Sequence, residues 1–241
     1  MSLLINRLLT LSIIMSLLAC KPSGPKHYQV GKIDRPLELS GLGNDPLWET
    51  AHVLTDFTYP WQQMSAPPTV FRALWDGEWL YFLYHATDET VIHRQEGMGE
   101  RDAANSDRVE IFFKSDDSMN PYYALEMDAL GRVLDTEGRY YRNIDYKWNW
   151  PQGHLQLKAT INTTGYIVEG AVSLESLRQL GMYKDDLKLK AGLFRGEYEY
   201  GANGEVGVKW ISWVIPDSEK PDFHIPSSFG ILELLSKTTR P

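Results

Sequence analysis

Alternation of apolar and polar positions with period two, the mark of extended strands whose successive side chains point to opposite faces, recurs along most of this chain. The clearest case is Ser106-Asp107-Arg108-Val109-Glu110-Ile111-Phe112-Phe113-Lys114. Val109, Ile111 and Phe113 share one side; Arg108, Glu110 and Phe112 share the other. No Gly or Pro interrupts the run, and Asn105-Ser106-Asp107 supplies a turn at its start, so it reads as a central strand. A carboxylate between Val109 and Ile111 must face water, a ligand or a buried partner, which makes Glu110 the first candidate for chemistry.

The same pattern comes in pairs. Thr69 to Trp75 and Trp79 to Ala86 flank Asp76-Gly77, a strong hairpin signal. Tyr122 to Asp128 pairs with Arg132 to Thr136 around Ala129-Leu130-Gly131, with Glu126 on the Tyr122 side and Met127 on the other. Leu155 to Ile161 pairs with Gly165 to Val172, Leu187 to Tyr198 pairs with Val208 to Pro216, and Phe229 to Leu234 closes the fold. Near the start, Leu37-Glu38-Leu39 predicts a short strand, and Asp45 caps a brief turn opened by Pro46 that sends Trp48 inward. Ser173 to Leu180 is the one clear helix, with Ser173 as N-cap and Gly181 as terminator. The stretch from Glu137 to His154 has no period but carries Tyr140, Tyr141, Tyr146, Trp148 and Trp150, and a loop this long is usually functional or mobile. About ten short strands, hairpin connections and one short helix predict an all-β fold: a single antiparallel β-sandwich of jelly-roll or immunoglobulin-like type. One domain is expected over 28–236, with 237–241 as a tail.

Composition changes this picture little. At 43% hydrophobic and 23% charged the chain is ordinary for a globular domain. A net charge of -8, with Arg and Lys scattered, excludes a general phosphate-binding surface and removes nucleic acid as a partner. The N-terminus adds more. Arg7 precedes the apolar run Leu8 to Leu18, too short to span a membrane and suited to a signal-peptide core. It ends at Leu17-Leu18-Ala19-Cys20, which resembles the lipobox of bacterial lipoproteins. That resemblance implies removal of 1–19, lipid modification of Cys20, and a tether over 20–27. Lys21 at the next position resembles the pattern of lipoproteins sent to an outer membrane, so a lipid-anchored place in the bacterial cell envelope is expected.

The strand landmarks, in their order, resemble a family 9 carbohydrate-binding module over roughly Leu37 to Leu234. The matching pieces are Asp45-Pro46-Leu47-Trp48, Leu74-Trp75-Asp76-Gly77-Glu78-Trp79-Leu80-Tyr81 and Ser106-Asp107-Arg108-Val109-Glu110-Ile111-Phe112. Gly165-Tyr166-Ile167-Val168-Glu169, Ile211-Ser212-Trp213 and Phe223-His224-Ile225-Pro226-Ser227-Ser228-Phe229-Gly230 follow. The resemblance implies a β-sandwich that binds glucose- or xylose-based sugars without cleaving them, often beside a glycoside hydrolase, with structural calcium in some members. It implies that Glu110 bonds sugar hydroxyls and that Phe223 forms one wall of the sugar slot. The opposing tryptophan of the family is replaced by Ala103-Ala104-Asn105, so Trp148 or Trp150 is expected to supply the second wall.

Sugar binding needs flat aromatic faces for C–H surfaces and fixed polar groups for hydroxyls. Glu126, Arg195 and His224 join Glu110 as polar candidates on or near aromatic strands. No cofactor is required, although Asp88, Asp107 and Asp128 near strand ends are of the kind that holds calcium. Three other readings stay open. Glu110 and Glu126 would serve as the carboxylate pair of a glycoside hydrolase. Met127, His154 and His224 would serve a haem-binding sandwich. A scaffolding lipoprotein needs none of them.

Overall fold

The computed structural model describes residues 24–97 and 99–238, so residues 1–23, with the expected signal peptide and Cys20, lie outside the described residues. Among the described residues, twelve strands form one hydrogen-bonded sheet. They are β1 (His27–Lys32), β2 (Thr69–Trp75), β3 (Trp79–Thr87), β4 (Arg108–Lys114), β5 (Tyr122–Asp128), β6 (Val133–Arg139), β7 (Asn143–Asp145), β8 (Leu155–Asn162), β9 (Gly165–Ser173), β10 (Lys188–Tyr200), β11 (Val206–Ser212) and β12 (Gly230–Thr238). Their order across the sheet is β7-β6-β5-β4-β10-β12-β1-β2-β3-β9-β8, with β11 added beside β10.

The sheet folds over on itself into a sandwich. Val109, Ile111 and Phe113 of β4 and Leu125 of β5 share one core with Phe71 and Ala73 of β2, Phe82 and Tyr84 of β3 and Val168 of β9. Across that core the Tyr84 hydroxyl donates to the Glu110 carbonyl at 3.1 Å. Both outer faces are also covered. Trp48, capped into its turn by Asp45, packs with Leu37, Leu39, Tyr81 and Ile167 outside β2, β3 and β9. Phe112, Tyr122, Phe194, Phe223 and Phe229 cluster outside β4, β5 and β10.

Two expectations are corrected. Leu37-Glu38-Leu39 is not a strand, because its neighbourhood's amides are taken by side chains: Glu38 N donates to Asp45, and Ser40 N and Gly41 N donate to Glu169. The sheet is not wholly antiparallel either, since β1 runs parallel to both β12 and β2. The hairpin and cap signals held, while β6 runs to Arg139 and β7 lies inside the stretch 137–154 expected to be irregular. Asp76-Gly77 turns between β2 and β3, and Ser173 caps α1 (Leu174–Gln179) by accepting from Ser176 N.

Candidate functional site

Period-two alternation sends Arg108, Glu110 and Phe112 of β4 to the outer face, where Glu110 stands directly opposite Glu126 of β5. Like charges facing each other across two strands repel. Here one guanidinium lies between them. Arg108 Nε donates to Glu110 Oε1 at 2.8 Å and lies 2.9 Å from Glu126 Oε2. The other side of Arg108 is equally engaged: Nη1 donates to the Ala104 carbonyl at 2.9 Å and to the Tyr198 hydroxyl at 3.2 Å. Its guanidinium also packs over the Trp210 ring, 5.1 Å from the centroid. Gly196 of β10 permits that approach, because a Cβ there would stand 3.1 Å from Arg108 Nη1 and 3.3 Å from the Trp210 ring.

The segment Pro221 to His224 closes the opposite side. Phe223 lies flat on Phe194, centroids 4.0 Å apart, and Trp210 meets it edge-on at 5.7 Å. His224 Nδ1 shares a 2.7 Å hydrogen bond with the Tyr122 hydroxyl. Gly138 leaves space for that tyrosine, since a Cβ would fall 2.1 Å from its ring. Asp222 accepts from Tyr141 Oη at 2.6 Å, from Arg142 Nη2 at 2.8 Å and from the His224 amide at 2.9 Å. Together these residues enclose a pocket of about 250 Å³ lined by Arg108, Glu110, Glu126, Arg142, Trp210 and the Pro221–His224 stretch.

Burial sets the charge states. It pushes Glu110 up to about 8 against the pull of Arg108, with the Glu126 charge adding to the rise. It pushes His224 down to about 4, helped by the nearby Arg142 and Arg108 guanidinium groups. The site at neutral pH therefore offers a neutral imidazole, the Arg108 and Arg142 cations, and a carboxyl group ready to hold its proton. Such groups accept and donate to hydroxyls, and the aromatic side supplies an apolar surface.

Glu110, Glu126, Phe223 and His224 are thus brought together as expected from the sequence. Trp148, Trp150 and Arg195 are not. Trp148 and Trp150 pack on Tyr123 at 4.7 and 6.2 Å, on the inner side of β5, and the Trp150 indole donates to Ser176 Oγ at 3.1 Å. They close the core rather than the pocket. Arg195 pairs across from Val109, which also directs it inward. It donates to Thr69 Oγ1 and to the Thr87 carbonyl, and forms an ion pair with Glu197. Asp88, Asp107 and Glu197 gather around it with oxygens within 4.8 Å of one another. Two of the three carboxylates expected near calcium, Asp88 and Asp107, thus stand together with Glu197, and Asp88 Oδ2 is buried without a hydrogen-bond donor. Asp107 already accepts from the Ile92 and Tyr198 amides, and the Arg195 guanidinium supplies the cation. Asp128, the third expected carboxylate, is elsewhere and holds Arg132.

Arg108, Trp210, Arg142 and Asp222 belong to the site without having been singled out from the sequence. Arg108 alone carried a usable signal, its place two residues from Glu110 on the same side of a strand. The arrangement is not that of a glycosidase, whose two carboxyl groups flank one bond from opposite sides. Glu110 and Glu126 lie on one face and share one Arg108 nitrogen. Nor does it suit haem: Met127 is sealed in the inner core, His154 bonds Ser173 Oγ at 2.6 Å, and His224 is on the outer face.

The fold is a β-sandwich with a pocket of charged and aromatic groups on the outer face of β4 and β5. The chain belongs to the carbohydrate family 9 binding domain-like family, whose sequence pattern matches residues 39–237. The fold is similar to that of a protein from Bacteroides uniformis ATCC 8492 provisionally described as carbohydrate-binding, with a TM-score of 0.68 and 15% identity over 88% of this chain and 100% of that one. It is also similar to a family 9 carbohydrate-binding module from Caldicellulosiruptor kristjanssonii. In complex with glucose, that module gives a TM-score of 0.55 and 16% identity over 90% of this chain and 99% of that one. In complex with cellotriose the values are 0.54 and 16% over 88% and 95%. Comparison with curated proteins finds no match.

Proposed function

We propose that this protein holds a glucose- or xylose-type sugar, without cleaving it, in the pocket lined by Arg108, Glu110, Glu126, Trp210 and Phe223. The observation that carries the reading is the Arg108 bridge, which fixes two carboxyl groups beside an aromatic wall before any ligand arrives. Fixed polar groups lose little freedom on binding, so each hydroxyl contact contributes more of its energy to affinity. Glu110 and Glu126 bond hydroxyls, His224 adds a polar partner, and the exposed part of Trp210 beside Phe223 meets the C–H face of the ring. The relatives solved with glucose and cellotriose support this choice of sugar. Anchored through Cys20 in the cell envelope, at the outer membrane, the module would keep oligosaccharide or polysaccharide near a partner glycoside hydrolase or an uptake system.

Calorimetric titration with glucose, cellotriose, xylose and xylotriose tests the reading. Saturable binding that Glu110→Ala abolishes, with the circular dichroism spectrum unchanged, is expected. Absence of heat with all four sugars would sink it.

A further inference from the structure

Large aromatic side chains seldom lie open to water in a cluster beside a pocket without a role. Tyr140, Tyr141 and Tyr146 are 50%, 56% and 47% exposed. They sit at the turn that joins β6 to β7 and just beyond it. Tyr141 donates its hydroxyl to Asp222, and Arg142 bonds the other oxygen of the same carboxylate. Asp222 and Arg142 are themselves pocket residues. Tyr140 packs edge-on against Tyr141, centroids 5.3 Å apart. Tyr146 lies near Tyr122, the partner of His224, and is steadied by Arg101, whose guanidinium stands 5.1 Å from its ring.

The pocket's size makes this rim matter. About 250 Å³ is below the ~300–1,000 Å³ typical of sites for drug-sized ligands, and it suits one pyranose ring. Any further sugar residue of a chain has to lie outside. On the Arg142-Asp222 side it would meet tyrosine rings. Tyr141 is held in place by its hydroxyl bond and Tyr146 by Arg101, so a ligand does not bear the whole cost of ordering them.

Resting on the proposed sugar reading of the pocket, we infer that Tyr140, Tyr141 and Tyr146 form a second subsite, which takes the next residue of a β-linked gluco- or xylo-configured chain. The chemistry selects that class. In β-linked glucose and xylose chains the ring hydroxyls are equatorial, so both ring faces present C–H groups to an aromatic surface. An axial hydroxyl would instead press a polar group against the ring, where it finds no partner. The protein thereby distinguishes an oligosaccharide from a free monosaccharide, through residues that do not touch the sugar in the pocket.

The test compares glucose with cellotriose, and xylose with xylotriose, by calorimetric titration of wild type, Tyr140→Ala and Tyr141→Ala. The readout is the ratio of trisaccharide to monosaccharide affinity within each protein. Wild type is expected to favour the trisaccharide roughly tenfold, and each substitution to bring that ratio towards one. Monosaccharide binding with a wild-type ratio near one, or a tenfold ratio that both variants keep, overturns the subsite and leaves the pocket standing. Failure of wild type to bind any of the four sugars overturns the pocket reading, and the subsite with it.

Discussion

Arg108 Nε bonds Glu110 Oε1 at 2.8 Å, two positions along the same face of one strand, and both side chains are almost wholly buried. Removing Arg108 leaves the buried Glu110 and Glu126 carboxyl groups without their shared donor, and an unsatisfied buried polar group typically costs ~1–3 kcal/mol. Arg108→Met is therefore expected to lower unfolding free energy by about that amount. Urea denaturation with an unchanged m-value checks it. A loss below 1 kcal/mol would mean that Glu110 and Glu126 do not depend on the bridge.

Acidity should tune stability through the same residue. Burial raises Glu110 from its ordinary 4.5 to about 8, Asp107 from 3.8 to about 8 and Glu197 from 4.5 to about 7. Between those limits the folded protein keeps protons that the unfolded chain releases, so stability falls as pH rises from about 5 to 8. His224 works in the other direction. Its folded value of about 4 lies below 6.5, so its contribution is lost as pH falls through that interval. A melting temperature highest in mildly acidic buffer is expected, with a shallower alkaline decline in Glu110→Gln. A melting temperature that climbs steadily from pH 6 to 8 would contradict the assignment.

The tryptophans divide by location. Trp150, 6% exposed and bonded to Ser176, is a core residue, and Trp150→Ala should destabilise by ~3–5 kcal/mol. Trp148→Ala is expected to leave sugar affinity as it is, because its ring faces Tyr123 on the inner side of β5. Trp210→Ala should weaken binding at least tenfold, by removing both the aromatic wall and the surface on which Arg108 rests. Titrations of the three variants separate these outcomes.

The acidic cluster around Arg195 carries its own counter-ion. A ligand that binds only the folded state raises its melting temperature, and removing that ligand lowers it. Thermal melts with and without EDTA are expected to coincide. A drop of several degrees, restored by calcium, would show that an ion displaces or joins the guanidinium.

What the sequence disclosed follows a physical line. Asp76-Gly77, Ala129-Leu130-Gly131 and the Ser173 cap act over a few residues, so hairpins and helix could be read directly. Glu110 was legible because a lone carboxylate in an apolar strand demands a partner. Arg195 misled for another reason. It shares the parity of the inward Leu189, Ala191 and Leu193 on β10, but an arginine is ordinarily expected at the surface, and this one is buried on its partners Asp88 and Glu197. Trp210 lies in Val208-Lys209-Trp210-Ile211-Ser212, where aromatic and aliphatic residues occupy adjacent positions and neither face is marked as outer. β1 escaped for a third reason: it runs parallel to its neighbours, and a parallel pair has no turn to announce it.

That last strand also governs when the molecule can exist at all. β1 and β12 sit side by side at the middle of the sheet, so the two halves of the sandwich are sewn together by opposite ends of the chain. During synthesis the first strand must wait for the last one, more than two hundred residues later, and until then it exposes an open edge to chance partners. A chain stopped before Gly230 would lose its seam, not merely its final strand. The sandwich closes only once β12 has joined β1.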